Sequence, residues 1–448
     1  MKLENKDKKF IWHPFTQMKD YCEEDPLIIE KGKGVYLYDI YNRKYIDGVS
    51  SLWLTVHGHQ KKELDNAIKS QLKKIAHSTL LGLSHPPAIE LAEKLVEIVP
   101  KGLTKVFYSD NGATSVEIAL KIAFQYYKQR NNPKPKKEKF IAFRNAYHGD
   151  TVGAVSIGGI DLFHQCYKSL LFKTIFADYP YCYRCKEKQK CKNLTESKCV
   201  KNLEILLKKY HKEIAGMIIE PLIQGAGGMI VAPYGFLKEV RKLCYKYDVL
   251  LIADEVATGF GRTGTMFACS QENVIPDILC IAKGITGGYI PLAATMVTEN
   301  IYNAFWGDYK ERKTFFHGHS YTGNPLGCAA ALANLKIFKN ENTIKKLGLK
   351  IKYLKNVLGK CRELEHVGDI RQCGMMAGIE LVKNKGSKSP YLWEEKIGIK
   401  VSKEARNNGL IIRPLGNVIV LMPPLSINKK ELKGMVDIVY EAIKKVTS

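Results

Sequence analysis

The chain has 448 residues, which is more than one hydrophobic core usually supports, so we expect two unequal domains. Its 45% hydrophobic and 25% charged residues are ordinary for a soluble globular protein. No apolar run is long enough to span a bilayer, and the charged first nine residues lack the apolar stretch of a signal peptide. We therefore predict a cytoplasmic protein without a membrane partner. The net charge of +24 raises the question of nucleic-acid binding, but the lysines are scattered and no basic element is interleaved with aromatic residues, so we expect no nucleic-acid partner.

The first predicted elements are two hairpin-like strands, 34–39 and 44–47, in an N-terminal segment of residues 1–63. From residue 64 to about residue 335, apolar strand-like runs alternate with amphipathic helices, which is typical of a mostly parallel α/β sheet. The predicted strands of this large domain are 105–109, 140–144, 216–220, 249–254, 278–282 and 293–297. Ligands of such sheets bind outside the carboxyl ends of the strands.

Residues 336–448 differ in composition from the large domain. Lysine-rich helices are followed by two extended runs, 374–382 and 409–424. This pattern predicts a small α+β domain, and we expect the N-terminal segment to pack with it.

An acid and a lysine close two consecutive strands of the large domain. Asp254 ends the strand 249–254 and is followed by a glycine-rich loop, and Lys283 follows the strand 278–282. A lysine can hold an aldehyde as a Schiff base, and an acid can pair with a pyridinium nitrogen so that the ring accepts electrons. Either residue alone would be an ordinary strand end or helix cap, but together they predict pyridoxal 5′-phosphate and hence an enzyme.

Two segments are candidates for binding the phosphate of that cofactor. Residues 109–115 follow a strand and open a helix, where free backbone N–H groups and the helix dipole attract an anion. Gly112 lets the backbone approach the anion, and Thr114 or Ser115 could add a hydroxyl; the alternative is a plain helix cap. The second candidate is 316–325, a run of small and hydrogen-bonding residues.

Other strand ends carry residues suited to the same cleft. Tyr147 can stack on a pyridine ring, and Asp150 could buttress the site. Glu220 ends the strand 216–220, and Gln224 follows it. Arg413 ends an apolar strand of the small domain, where a guanidinium suits bidentate capture of a substrate carboxylate. The alternative for Arg413 is a surface ion pair.

These motifs resemble those of the class III aminotransferases, the fold-type I pyridoxal-phosphate transferases, over nearly the whole chain. The resemblance implies a homodimeric transaminase with its active site at the subunit interface. Within the family, the segments 11–18, 50–53 and 317–325 are similar to the biotin-pathway branch. Members of that branch aminate 8-amino-7-oxononanoate, with S-adenosylmethionine or in some members lysine as the amino donor.

The resemblance implies a role for each matching residue. Lys283 would form the Schiff base and move the proton, Asp254 would hold the pyridinium proton, and Tyr147 would stack on the cofactor. The residues implied to bind the phosphate, the last two from the partner subunit, are Gly112, Ala113, His319 and Ser320. The residues implied to line the substrate site, with the arginine taking the acceptor carboxylate, are Trp53, Tyr147, Lys283, Gly318 and Arg413.

Two positions depart from the pattern of the adenosylmethionine-using members. Phe15 stands where they commonly have tyrosine, and Leu52 stands where they commonly have the first of two tryptophans. Both changes remove hydrogen-bonding or stacking area that an adenosyl group would use. We therefore hold lysine to be at least as good a candidate for the donor as S-adenosylmethionine.

Other functions remain open at this point. Another class III aminotransferase could act on an ω-amino acid or a diamine, and the segment 11–18 and Arg413 argue against it only by resemblance. A pyridoxal-phosphate protein could instead be a regulator without catalysis. The presence of Lys283, Asp254 and Arg413 together argues against that alternative.

The cysteines form the last feature of the sequence. Twelve cysteines in a cytoplasmic chain do not predict a disulfide framework. Four of them, Cys182, Cys185, Cys191 and Cys199, fall in one polar stretch and could coordinate zinc or an iron–sulfur cluster. The alternative, which we favour, is a loop of reduced thiols that binds no metal.

Overall fold

The computed structural model describes residues 1–186, 191 and 193–448. Its strands are β1 Ile29–Lys33, β2 Tyr36–Asp39, β3 Lys44–Asp47, β4 Leu103–Ser109, β5 Lys139–Phe143, β6 Ile175–Ala177, β7 Ile214–Ile219, β8 Ile223–Gln224, β9 Ile230–Val231, β10 Leu250–Asp254, β11 Ile278–Ile281, β12 Ala293–Thr298, β13 Val367–Cys373, β14 Met376–Leu381, β15 Leu410–Ile411, β16 Arg413–Leu415 and β17 Val418–Leu421.

The helices surround these strands in three groups, at the N-terminus, around the large sheet and at the C-terminus. They are α1 Leu3–Phe10, α2 Met18–Cys22, α3 Ser50–Trp53, α4 Lys62–Leu72, α5 Pro86–Ile98, α6 Gly112–Gln129, α7 Val152–Ser156, α8 Asp161–His164, α9 Lys198–Tyr210, α10 Phe236–Lys246, α11 Glu299–Asn303, α12 Pro325–Asn340, α13 Thr343–Gly359, α14 Ile397–Asn407 and α15 Lys429–Thr447. Within the described residues, no helix is both long enough and apolar enough to cross a membrane.

A seven-stranded sheet in the order β4-β12-β11-β10-β7-β5-β6 forms the centre of the molecule. Neighbouring strands run parallel except at β12, which is antiparallel to both β11 and β4. Every residue of β7 and β10 is buried, as expected for strands covered by helices on both faces. The predicted α/β class with a large, mostly parallel sheet is confirmed, and the edge strand β6 is an addition to the predicted set.

Helix α6 illustrates how the sequence sets an element boundary. Asn111 caps the helix by accepting a hydrogen bond from the Thr114 N–H, so the helix begins at Gly112, within the segment 109–115 that was predicted to open it. Val116, Ala119 and Ala123 recur at helical spacing and are buried, and this face packs against the sheet. Because α6 directly follows β4, its start lies at the carboxyl end of that strand.

The two ends of the chain meet in space. Strand β3 pairs in parallel with β15, with Ile46 opposite Leu410 and Asp47 opposite Ile411. A further antiparallel sheet in the order β13-β14-β17-β16 carries Arg413 on its edge strand. The N-terminal hairpin strands and the C-terminal strands therefore lie together.

Candidate active site

A cavity of about 810 Å³ opens at the carboxyl ends of the large sheet. It is lined by side chains from the large sheet, from the N-terminal segment and from the small C-terminal sheet. The predicted site residues among them are Trp53, Gly112, Ala113, Tyr147, Asp254, Lys283 and Arg413. Residues that lie up to 360 positions apart in the chain therefore meet in one cleft.

Asp254 and Lys283 form the centre of this cavity. Asp254 is the last residue of β10, is buried, and accepts a hydrogen bond from the Val256 N–H at 3.0 Å. Lys283 follows β11 with a φ of 46°, a left-handed conformation that is uncommon outside glycine. Burial lowers the pKa of the Lys283 amine, although the nearby carboxylates of Asp254 and Glu220 oppose that shift. A lysine with a lowered pKa supplies more neutral amine, the form that attacks an aldehyde.

His148 is a functional residue that the sequence did not single out. Its Nδ1 lies 2.7 Å from Asp254 Oδ2 and donates to that carboxylate, and its ring is fully buried. The contact fixes the orientation of Asp254, and the 106 residues between the two side chains explain why no local pattern indicated it. Its position directly after Tyr147 in a turn that follows a strand was the available signal.

The start of α6 has the shape of an anion cradle. A Cβ at Gly112 would lie 2.6 Å from Val256 Cγ1, and a Cβ at Gly149 would lie 2.4 Å from Ala113 Cβ, so only glycine allows the loops to approach. Within the described residues, the N–H groups of Gly112 and Ala113 donate to no protein group. Two free donors at a helix N-terminus fit a phosphate.

The hydroxyls proposed for that cradle are used elsewhere. Thr114 Oγ1 donates to the Asn111 carbonyl and accepts from the Asp110 and Asn111 N–H groups. Ser115 Oγ donates to the Gly112 carbonyl at 2.8 Å. Both side chains therefore stabilise the start of the helix, and a phosphate contact by either hydroxyl stays a prediction.

Gly318, His319 and Ser320 lie in the loop before α12 and do not line the cavity of their own chain. His319 Nδ1 is 3.0 Å from Oδ2 of Asp110, a residue that does line it. A Cβ at Gly318 would meet nothing within 4 Å, so that backbone is open. Binding of phosphate and substrate by this loop, from the partner subunit, stays a prediction.

Tyr147 and Glu220 form one wall of the cavity. The Tyr147 hydroxyl donates to Asp150 Oδ2 at 2.6 Å, and this contact orients the phenol ring. Glu220 accepts hydrogen bonds from the N–H groups of Tyr147 and Gly225 at 3.1 and 2.9 Å, and burial raises its pKa to about 7. Gln224 is turned away, because its amide donates to the Arg144 carbonyl and it does not line the cavity.

Arg413 supplies an uncompensated positive charge. Within the described residues its guanidinium forms no ion pair, which rules out the surface ion pair considered for it. Burial lowers its pKa, and its guanidinium carbon lies 5.6 Å from the centre of the Phe15 ring. Phe163, which was not predicted from the sequence, packs edge-on against Phe15 with 5.4 Å between the ring centres. The two rings form an apolar wall beside Arg413. A carboxylate on an aliphatic chain suits this arrangement.

The four clustered cysteines lie between β6 and the first turn of α9, and none of them lines the cavity. Cys199, in the first turn of α9, is half-buried, and burial together with the nearby thiols of Cys185, Cys191 and Cys182 raises its pKa to about 11. In residues 1–186, 191 and 193–448, no three His, Cys, Asp or Glu side chains are placed so that they could hold a metal ion. The two alternatives for these thiols, a metal site or the favoured loop of reduced thiols, are distinguished by elemental analysis of protein purified without chelator.

Comparison with known proteins gives consistent results over the full length. The family model described as aminotransferase class-III matches residues 20–443. A Geobacter sulfurreducens protein named adenosylmethionine-8-amino-7-oxononanoate aminotransferase is 53% identical over 445 residues, which cover 99% of this chain and 98% of that protein. A protein of the same name from Aquifex aeolicus is 56% identical over 446 residues, covering 99% and 97%.

Solved structures agree with these relatives. The crystal structure of adenosylmethionine-8-amino-7-oxononanoate aminotransferase from Methanocaldococcus jannaschii superposes with a TM-score of 0.94 at 51% identity, covering 99% of this chain and 98% of that one. The omega transaminase from Pseudomonas jessenii in complex with PMP gives a TM-score of 0.93 at 32% identity, covering 100% of this chain and 98% of that one.

Proposed function

The chain belongs to the class III aminotransferases and is a pyridoxal-phosphate-dependent transaminase, and on that premise we propose that it aminates 8-amino-7-oxononanoate to 7,8-diaminononanoate in biotin biosynthesis. The observation that carries the proposal is Arg413, a guanidinium without an ion-pair partner in the described residues, in an otherwise largely apolar cavity that also contains Lys283. The acceptor has a carboxylate at the end of an aliphatic chain, which matches a single cation beside an apolar wall.

The residues present fit the cofactor. Gly112 and Ala113 would hold its phosphate, Asp254 its ring nitrogen and Lys283 its aldehyde carbon. When bound, pyridoxal phosphate supplies an electron sink that allows an amino group to leave one carbon and, in a second half-reaction, to reach another.

The protein's own contribution is proton transfer and positioning. The Lys283 amine, whose pKa burial lowers, moves the proton at the substrate carbon that carries the amino group. His148 orients Asp254 at 2.7 Å, and the hydrogen bond from Tyr147 to Asp150 fixes the phenol ring at the cavity wall. Arg413 orients the acceptor by its carboxylate, so that the keto carbon reaches Lys283.

The amino donor is proposed from two opposing arguments. The names of relatives at 53% and 56% identity support S-adenosylmethionine. Phe15 and Leu52, which both line the cavity, lack the hydroxyl and the indole that would favour an adenosyl group, and they support lysine. We take S-adenosylmethionine as the first donor to test and lysine as the second.

The proposed assembly is a cytoplasmic homodimer. A transaminase that transfers an amino group between two small molecules needs no membrane or nucleic-acid partner. Within the described residues the structure contains no disulfide bond, which suits a reducing compartment. The loop with His319 and Ser320, which lies outside its own chain's cavity, supports a contribution to the partner's site.

A half-reaction experiment tests this function. Enzyme loaded with cofactor is mixed separately with S-adenosylmethionine and with lysine while the cofactor absorbance is followed. We expect conversion of the aldehyde form to the amine form with at least one donor and its reversal by 8-amino-7-oxononanoate. Conversion with lysine alone would identify lysine as the donor. Conversion only with ω-amino acids or other diamines, with no response to 8-amino-7-oxononanoate, would contradict the proposal.

A further inference from the structure

Three of the four residues in α3, just beyond β3, have backbone angles that residues with a Cβ rarely adopt. Ser50, Ser51 and Trp53 have φ values of 52°, 61° and 65°. Such angles are unfavourable and persist only where the surrounding contacts enforce them. We call residues 50–53 the strained turn, and the contacts that enforce it bear on the cavity beside it.

The strained turn directs consecutive side chains into one place. Leu52, Trp53 and Leu54 all line the cavity. Successive side chains diverge by about 100° in a helix and alternate between faces in a strand, so neither regular element would present three in a row to the same cleft. The unusual backbone is therefore what brings Leu52 and Trp53 to the cavity together.

Trp53 is placed against the reacting amine. Its ring is buried, and its centre lies 5.1 Å from Lys283 Nζ. Behind it, a Cβ on Gly225 would lie 3.2 Å from Trp53 Cζ3, so the indole packs closely on that loop. The Trp53 Nε1–H is buried and has no hydrogen-bond partner within the described residues. The indole is therefore held beside Lys283, and its N–H is not used by the described part of the protein.

Asp47, the last residue of β3, holds the strained turn. Its Oδ1 accepts from the Ser51 N–H at 2.7 Å, and its Oδ2 accepts from the Ser51 hydroxyl at 3.1 Å. His59 Nε2 lies 3.0 Å from the same Oδ2. Asp47 is completely buried, and its pairing opposite Ile411 fixes its own position. Both oxygens of a rigidly placed carboxylate therefore act on the strained residue next to Leu52.

We propose that Asp47 is a positioning residue for binding of the amino donor, because it holds the strained turn and thereby Leu52 and Trp53 at the cavity. The inference rests on the proposed transaminase function and deepens it, since these two side chains face the position where the donor must reach Lys283. Asp47 itself does not line the cavity, so it acts only through Ser51.

The test compares Asp47→Asn with the double variant Asp47→Asn/Ser51→Gly. Asparagine keeps one oxygen for the Ser51 N–H, but its amide nitrogen can no longer accept from the Ser51 hydroxyl, and the negative charge beside His59 is removed. In the half-reaction, the donor KM is the donor concentration at which the rate of cofactor conversion is half-maximal. We expect it to rise at least about tenfold with little change in the maximal rate, because a small misplacement of a binding wall is costly. Glycine adopts a φ near 60° without strain, so Ser51→Gly should recover most of the loss.

A second readout needs no substrate. Quenching of tryptophan fluorescence by acrylamide is measured for each enzyme and for its Trp53→Phe counterpart. The difference between the two reports the accessibility of Trp53. It should increase in Asp47→Asn and return in the double variant. Failure of the wild-type enzyme to use either donor would contradict the proposed function alone, because the Trp53 signal would still report on the strained turn.

Asp39→Asn is the matched control. Asp39 is also fully buried in the N-terminal segment and also holds a turn, through the N–H groups of Tyr41 and Arg43, but it does not line the cavity. It should leave the donor KM and the Trp53 signal unchanged. Asp47→Asn with wild-type values, or a double variant with no recovery, would overturn the proposal. If Asp47→Asn alone does not fold, the double variant carries the test, and a donor KM that stays at least about tenfold above the wild-type value there would overturn the proposal.

Discussion

At the residue scale, burial governs the charged groups of the cavity. Burial is the largest cause of the pKa shift of Lys283, Glu220 and Arg413, lowering the first and third and raising the second. In each case the neutral form is favoured relative to water. A substrate of complementary charge relieves part of this cost when it binds, so the cavity selects ligands by charge as well as by shape.

Arg413 gives the clearest prediction at this scale. Arg413→Met should raise the KM for 8-amino-7-oxononanoate and lower kcat/KM by about 10- to 100-fold, since a hydrogen bond to a charged group contributes roughly 1.5–3 kcal/mol. Arg413→Lys should recover part of the loss, because it keeps the charge but not the bidentate geometry. Steady-state kinetics with the acceptor and with its carboxamide analogue measures the effect. A carboxamide that loses as much as the acid would show that Arg413 does not bind the carboxylate.

The raised pKa of Glu220 leads us to expect a pH-dependent contribution to the free energy of unfolding. Its pKa is raised by burial from 4.5 to about 7, so between these values the folded protein binds a proton that the unfolded chain has released. Its contribution is therefore complete below pH 4.5 and is lost as the pH rises through about 7, by an amount on the order of 3 kcal/mol. The difference in unfolding free energy between the wild type and Glu220→Gln should change across this window. A difference that is constant from pH 4.5 to 8 would contradict the assignment.

Single residues also show which parts of the site could be predicted from the sequence. Asp254 and Lys283 were predictable because each closes an apolar strand, and strand ends meet at one edge of a parallel sheet. His148 and Asp47 were not predicted, because their roles depend on contacts with side chains that only the folded chain brings together. The contacts of the Thr114 hydroxyl with the helix start were likewise not predicted, because the sequence suggested only a phosphate contact or a plain cap at this place.

At the element scale, the alternation of strands and helices was predictable but the conformations between them were not. The six predicted strands of the large domain each overlap a strand of the structure, because buried runs of apolar residues carry that signal. Strand β6 has three residues and was too short to show a period. The strained turn was visible only as a family-like segment, since positive φ in serine and tryptophan follows from tertiary contacts rather than from local propensity.

The start of α6 carries a prediction with an internal control. Asn111→Ala removes the cap that orients the N–H groups of Gly112 and Ala113, so it should lower stability by about 1 kcal/mol and also weaken pyridoxal-phosphate binding. Asn428→Ala removes the same type of capping box from α15, far from the cavity. It should lower stability by about the same amount and leave cofactor affinity unchanged. Unfolding midpoints and cofactor titrations of both variants measure the two effects; equal cofactor affinity in the two would contradict a phosphate role for α6.

At the scale of the whole molecule, both ends of the chain serve the same cavity. The pairing of β3 with β15 places Asp47 beside the C-terminal strands, and β16 brings Arg413 to the cavity from that side. The Arg262 guanidinium, fully buried, donates to the Thr55 and Pro423 carbonyls and ties the N-terminal and C-terminal segments to the large sheet. The position of the C-terminal strands therefore sets the proposed acceptor site, while the large sheet carries the residues proposed to hold the cofactor.

The remaining question at this scale is which subunit supplies His319 and Ser320. A mixture of Lys283→Ala chains with chains carrying His319→Ala and Ser320→Ala distinguishes the two arrangements. If the loop acts on the partner, each mixed dimer has one complete site, so random pairing of equal amounts should give about a quarter of the wild-type activity at limiting cofactor, while each variant alone is nearly inactive. If the contact of His319 with Asp110 at 3.0 Å in one chain is the working arrangement, every site lacks one component and mixing restores nothing. We expect restoration, because Gly318, His319 and Ser320 do not line the cavity of their own chain, which supports the proposal that this loop completes the phosphate cradle of the neighbouring subunit.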